Sequence, residues 1–380
     1  MTGTFLAAAV GVALAAIPQA VPRASFETLA EVDYAPATPH FEYHASLAFT
    51  GQNAYLATPG GLYRLAAHVE GAPPEPAAFD RVSITRVYAR EGRLYVLKPS
   101  QPTAGSATDH ALLRSDDEAR TFTPIDGPLG YCSGGVCQFM SGSELIIDGA
   151  RLYYAAGGNV VASGDGGATW RALVGFLEPS FCYDPSIALV GDRMLIGGEC
   201  PLDIAYVRAG RLAEDRLSWA EEPTAVATPY LENRNVQFIH RHGESAIVFA
   251  GIEGALLRSV DGGASFEFAY HVPIEGHAKY PYIGSIWMSD AKPGTVLAAG
   301  FDKKISEGGA WIALSRDYGR TWTDLSDLIP RDGSFRPDSV SFLEEDPSGR
   351  VLAGVVDVGS SKVRILEVRV NDVRRRLATR

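Results

Sequence analysis

The chain is poor in the features that announce the common enzyme classes. No G-x-S-x-G, H-E-x-x-H or P-loop string occurs, so the hydrolase-elbow, zincin and nucleotide-cradle readings have no direct support. There are only four cysteines in 380 residues. They lack the doubled C-x2-C spacing of a four-thiolate zinc site. Positive charge is scarce, with 34 Lys and Arg against 45 Asp and Glu and a net charge of −11. That balance argues against nucleic acid or an anionic membrane as partner. Long helical periodicity is missing, as are internal linkers and low-complexity tracts. The one charge run, Arg374-Arg375-Arg376, reads as part of a solvated basic tail over 373–380.

What is abundant points to short strands and turns. Forty glycines and 23 prolines accompany 46% hydrophobic residues, enough for a packed core. Within this background one pattern recurs: SDDEARTF at 115–122, SGDGGATW at 163–170, SVDGGASF at 259–266 and SRDYGRTW at 315–322. The common form is S-x-D-x-G-x-[TS]-[WF], with Ala119 in place of glycine in the first copy. The starts lie 48, 96 and 56 residues apart, a period suited to one four-stranded propeller blade.

Each copy sits between strand-like runs, HALLR before Ser115 and GALLR before Ser259 among them, so each is a hairpin turn. Ser115, Asp117, Ser163, Asp165, Ser259, Asp261, Ser315 and Asp317 are expected to bond nearby backbone amides. Gly167, Gly263 and Gly319 supply positive φ, and Trp170 and Trp322 pack between neighbouring sheets. One carboxylate per turn is too few for a calcium cage. No metal and no cofactor is expected.

The pattern resembles the Asp-box, or BNR, repeat of the sialidase-like superfamily. That resemblance implies an all-β fold, a β-propeller of four-stranded antiparallel blades. The recurring Gly-His and Trp-Asp pairs of WD40 blades are absent. A second-strand signature, a polar turn followed by an apolar run, appears at 51–61, 92–99, 150–158, 192–199, 245–254, 294–301 and 349–356. The expectation is a seven-bladed propeller over 35–372, with six blades as the alternative count. Ser218-Trp219 reads as a degenerate box in the fourth unit.

Residues 5–17, FLAAAVGVALAAI, form an apolar segment too short to span a bilayer comfortably and suited to a signal-peptide core. The leader, residues 1–20, has no Lys or Arg. An apolar element lying on the propeller is the rival reading. Export implies an extracytoplasmic protein, periplasmic or secreted, with no membrane insertion after cleavage. Four cysteines allow three pairings. Blade geometry favours Cys132–Cys137 and Cys182–Cys200 as local staples.

In this fold the loops entering the inner strands crowd the axial face opposite the boxes. They carry Arg81, Tyr183, Asp184, Arg234, His277, Tyr280, Tyr282 and Arg336, with Glu199 beside them. Tyrosine and arginine dominate recognition surfaces, so the first expectation is a non-catalytic binder of a protein or glycan, with Arg81, Arg234, Arg336, Tyr183 and His277 at the site. The second, implied by the sialidase resemblance, is an exo-glycosidase. There the three arginines hold a sugar carboxylate, Tyr280 or Tyr282 is the nucleophile, and Asp184 and Glu199 serve proton transfer and polarisation. The Arg-Ile-Pro of sialidases is absent, and FDRVS at 79–83 is the nearest fragment. His240 and His242 lie on one side of an extended strand, a spacing met more often in ordinary polar contacts than in metal pairs.

Overall fold

The computed structural model describes residues 24–35 and 44–370, except 52, 67–68, 70–72, 99–110, 126–129, 134–135, 140–141, 157–158, 175–182, 201–203, 214–215, 220–235, 242–244, 253, 273–280 and 303–308. Among the described residues, strands account for nearly all regular structure, with one short 3-10 turn at Ser326–Leu328. No described helix is long and apolar enough to cross a membrane.

Five four-stranded antiparallel sheets follow one another along the chain. Sheet I spans 46–78, II 86–124, III 142–174, IV 183–219 and V 236–271. An eight-stranded sheet completes the set. It consists of two four-stranded halves, VI (281–324) and VII (339–370 with Ala24–Asp33), joined through a single residue pair, Phe301 and Ser339. A two-stranded hairpin, Gly130–Ser133 with Val136–Phe139, lies between II and III.

Each of the seven second-strand signatures became a second strand: Asn53–Thr58, Arg93–Leu97, Arg151–Ala156, Arg193–Cys200, Val248–Ile252, Val296–Asp302 and Val351–Asp357. Their apolar character follows from burial on both faces. All seven residues of Val296–Asp302 and of Val351–Asp357 are buried. A strand sandwiched between neighbours has no solvent side to favour alternation.

The core is divided among the interfaces between successive sheets. Leu195 and Val207 of IV meet Val236 and Leu257 of V. Ala298 and Trp311 of VI meet Phe249 and Leu256 of V. The last interface closes the circle, since Leu352 and Val363 of VII pack on Leu47 and Leu56 of I. Flat sheets cannot share cores in this cyclic order unless they ring an axis.

Ala24–Asp33 closes the ring as the outer strand of VII, pairing antiparallel with Lys362–Val370. This strand lies ahead of residue 35, the expected start of the propeller. Glu31 meets Lys362 at 2.5 Å and Arg364 at 2.6 Å, and Arg369 meets Glu27 at 2.6 Å. Sheet IV departs from expectation as well. Ala213 pairs with Arg216 across a tight hairpin, which puts Ser218 and Trp219 inside the outer strand Arg216–Trp219. They do not form a box turn.

Candidate functional site

Four hairpins at the rim share one hydrogen-bond pattern. Each serine hydroxyl donates to its aspartate Oδ1, at 2.9 Å in 115/117, 2.7 Å in 163/165 and 259/261, and 2.8 Å in 315/317. The same oxygen accepts the amide four residues on, from Ala119, Gly167, Gly263 or Gly319. The aspartate accepts both the amide and the hydroxyl of Thr121, Thr169, Ser265 or Thr321. These bonds, first the Thr169 hydroxyl and then its amide, hold the Asp165 carboxylate down at about 2. At Asp261 partial burial pushes upward, but the bonds from Ser265 and Ser259 win and the carboxylate again sits at about 2. With their oxygens saturated by local donors, these aspartates are scaffold.

Each turn also grips the preceding sheet. Arg114 of II donates to the Gly166 carbonyl at 2.8 Å, and Arg193 of IV donates to Gly262 at 3.2 Å. In the first turn a side chain takes the place of the carbonyl, as Glu118 accepts bonds from Thr50, Asn53 and Tyr55 of sheet I. The closing aromatics complete the contact: Phe122 lies 4.7 Å from Phe79, and Trp322 lies 5.3 Å from Tyr270.

Along the axis the inner strands enclose a cavity of about 580 Å³. In sheets III to V and halves VI and VII a β-bulge immediately precedes one lining residue: Glu144, Ser186, Phe238, Ser285 or Phe342. Ser46 and Arg86 take the same place in I and II. A bulge re-aims a side chain and frees the next amide from the ladder. The amide after the lining residue, with or without a bulge before it, is then taken by the previous sheet. Ser46 Oγ accepts Val87 N at 3.2 Å, Glu144 Oε2 accepts Ile187 N at 3.1 Å, Ser186 Oγ accepts Ile239 N at 2.7 Å, and Ser285 Oγ accepts Leu343 N at 2.9 Å.

Arg86 breaks the pattern because a guanidinium has no acceptor. Tyr88, two residues on, takes over and accepts Leu145 N through its hydroxyl at 3.2 Å. Among the described residues the Arg86 guanidinium has no hydrogen-bond or ion-pair partner. One step deeper, Tyr88, His240, Trp287 and Glu344 line the same cavity. Tyr88 and Glu344 also border a second cavity of about 390 Å³, walled by Leu47, Phe49, Leu145 and Ile147. The two cavities share Val87, Tyr88 and Glu344 and together form the channel, with Arg90 also at the second.

Enclosure shapes the ionisation of this channel. Desolvation pushes the Glu144 carboxyl up to about 7, against the bonds from Ile187 and Ser186 and the attraction of Arg86. Desolvation also raises the Glu344 carboxyl to about 7 against the attraction of Arg86, although the residue keeps exposed area. Burial, with Arg86 nearby, pushes the His44 imidazole down to about 4. Arg86 lies in the same cavity as these two carboxyls.

Of the residues nominated from sequence, the described ones lie as follows. Neither Arg81 nor Arg336 lines the channel. Arg81 is exposed at φ 56° and donates its amide to Gly60, while the Arg336 amide is held by Asp357 at 2.7 Å. Tyr282 stacks on Phe301 at 5.1 Å, and Phe301 meets His44 edge-on. Tyr183 and Glu199 are register partners on adjacent strands. Their side chains and that of Asp184 lie outside the described residues, as do Arg234, His277 and Tyr280. Cys132 and Cys137 are register partners in the hairpin. Cys182 and the side chains of the other three cysteines fall outside the described residues, as do the leader and the basic tail. Sequence reasoning missed Arg86 and Glu144. The available signal was a charged residue set within a strand-like run and facing the axis by alternation.

No family model matches the chain, and no curated protein does either. Solved structures do match along its length. YCF48 from Cyanidioschyzon merolae aligns with a TM-score of 0.57 at 15% identity, covering 90% of this chain and 98% of that one. YCF48 bound to D1 peptide aligns at 0.56 and 12% identity, over 94% and 98%. The extracellular domain of BT4673 from B. thetaiotaomicron aligns at 0.55 and 11%, over 90% of this chain and 39% of that one. These neighbours are β-propellers. The chain is a β-propeller. Identities this low carry the fold alone, so the propeller's axial channel has to be interpreted from its own residues.

Proposed function

We propose that this propeller is an exported, non-catalytic binding protein that takes a segment of a protein partner at its axial channel. Counting five sheets and two halves as blades gives seven, and the rim turns mark it as an Asp-box propeller. The observation that carries the reading is the channel itself. Its lining mixes one partner-free arginine with Tyr88, Phe238 and Trp287, a composition suited to recognition. One propeller neighbour was solved with a peptide bound. The extracytoplasmic location rests on the 5–17 segment and on the kinship in fold to an extracellular domain. Disulfides at Cys132–Cys137 and Cys182–Cys200 belong to the same reading.

The experiment is selection from a displayed peptide library by the purified protein, run beside a glycan array and a fluorogenic sialoside assay. Peptides retained by the native protein and lost by His240→Trp, which fills the channel, are the expected result. Retention of glycans only would move the partner class, and sialoside turnover would restore the glycosidase. Retention of the same peptides by His240→Trp would overturn the channel as the site.

A further inference from the structure

Six of the ring positions around the axis are occupied by Ser46, Glu144, Ser186, Ser285 and two phenylalanines, and every polar one of these binds a neighbouring strand. Arg86 is the exception, a long cation with no structural duty, whose task has been passed to Tyr88. A guanidinium whose donors are unspent within the protein is available to a ligand, and the carboxyls of Glu144 and Glu344 share its cavity.

We propose that Arg86 is an oxyanion-binding position, at which a ligand carboxylate or phosphate sits against the guanidinium and accepts hydrogen bonds from the protonated carboxyls of Glu144 and Glu344. The inference rests on the channel reading given above and names the chemical group that the channel holds. Arginine suits such a ligand through its forked donors. Glu144 uses Oε2 for Ile187 and Ser186, which leaves Oε1 to carry the proton. Glu344 has no hydrogen bond among the described residues.

Other ionisable groups around the channel leave this arrangement intact. His44 is kept neutral by burial and by Arg86. Tyr88 is pushed up to about 12 by burial and stays protonated. Glu345 accepts the Trp287 indole at 3.2 Å, and Asp346 is paired with Arg350 at 2.8 Å. Asp290 and His240 complete the lining, and both have interactions of their own. Since both glutamates are near half-protonation at neutral pH, an arriving anion must draw protons onto them. Binding is then linked to proton uptake, with affinity falling by about ten-fold per pH unit for each proton taken up.

Titration calorimetry on the full chain tests this, with succinate and inorganic phosphate as probes, at about pH 6 and about pH 8 and in two buffers of different ionisation heat. The expected result is binding at least about ten-fold tighter at the lower pH, with net proton uptake. The carboxylate and phosphate arms separate the two ligand sources. Arg86→Gln should abolish binding, and Arg86→Lys should restore part of it. Glu344→Gln supplies a permanently neutral donor and should raise affinity at the higher pH towards its value at the lower, a response that a structural role would not produce. The inference is overturned if neither probe binds to the folded protein, or if Arg86→Gln binds as the native protein does. Probe binding without peptide selection would instead overturn the partner class and leave Arg86 standing.

Discussion

Rim and axis of this propeller use the same chemical device, a serine hydroxyl that accepts a backbone amide, over very different distances. At the rim Ser163 accepts amides two and four residues away. At the axis Ser46, Ser186 and Ser285 accept amides 41, 53 and 58 residues away, always from the next sheet. The rim bond shapes its own turn; the axial bond joins two blades. A local device leaves a repeated word in the sequence, and a non-local one leaves isolated polar residues that no spacing connects.

Substitutions can break or sharpen this contrast. Gly263→Ala carries the largest expected cost, about 3 kcal/mol, because a Cβ would meet Leu195 Cδ1 at 2.4 Å on a backbone at φ +82°. Urea denaturation measures it, and a loss under about 1 kcal/mol would show that the turn relaxes freely. Ser186→Ala should cost about 2 kcal/mol by orphaning the buried Ile239 amide, against about 1 kcal/mol for Ser163→Ala at the rim. Equal losses would erase the distinction between the two regions. Ala119→Gly should stabilise by about 1 kcal/mol, since Ala119 holds φ 61° where the other turns have glycine. A lower melting temperature would mean that its methyl packing outweighs the strain.

The smallest effects are those of pH, and they separate the regions by sign. The glutamates have folded values raised above their unfolded one. Their contribution is full below about 4.5 and is lost as pH rises towards 7. Glu144→Gln or Glu344→Gln should flatten the melting temperature across that window. Asp165 is depressed, so its contribution is present above about 4 and is lost as pH falls through 2. Asp165→Asn should alter only that acid limb. A change near neutral pH in this variant would contradict the assignment.

Legibility followed the same divide. The box turns and the second strands were readable because their determinants lie within eight or so consecutive residues. The closing strand Ala24–Asp33 was not, since its partner lies more than 300 residues away. Nor was the tight hairpin of sheet IV, where Ser218-Trp219 imitates the end of a box without its turn. For the site, the search of loops entering the inner strands stopped at Arg81, five residues short of Arg86. It took exposure as the mark of function, whereas the channel is lined from within strands. In sheets III to VII a bulge interrupts the alternation just before the axial residue, and a bulge has no reliable sequence signature.

Half VII is assembled from both ends of the chain, Ala24–Asp33 lying against Lys362–Val370. A ribosome delivers the first of these strands long before the second exists. Until Lys362–Val370 has been made, the early strand has no edge to join and sheet I lacks one of its two neighbours. The ring thus stays an open arc while every other sheet is already present, and one late strand closes it.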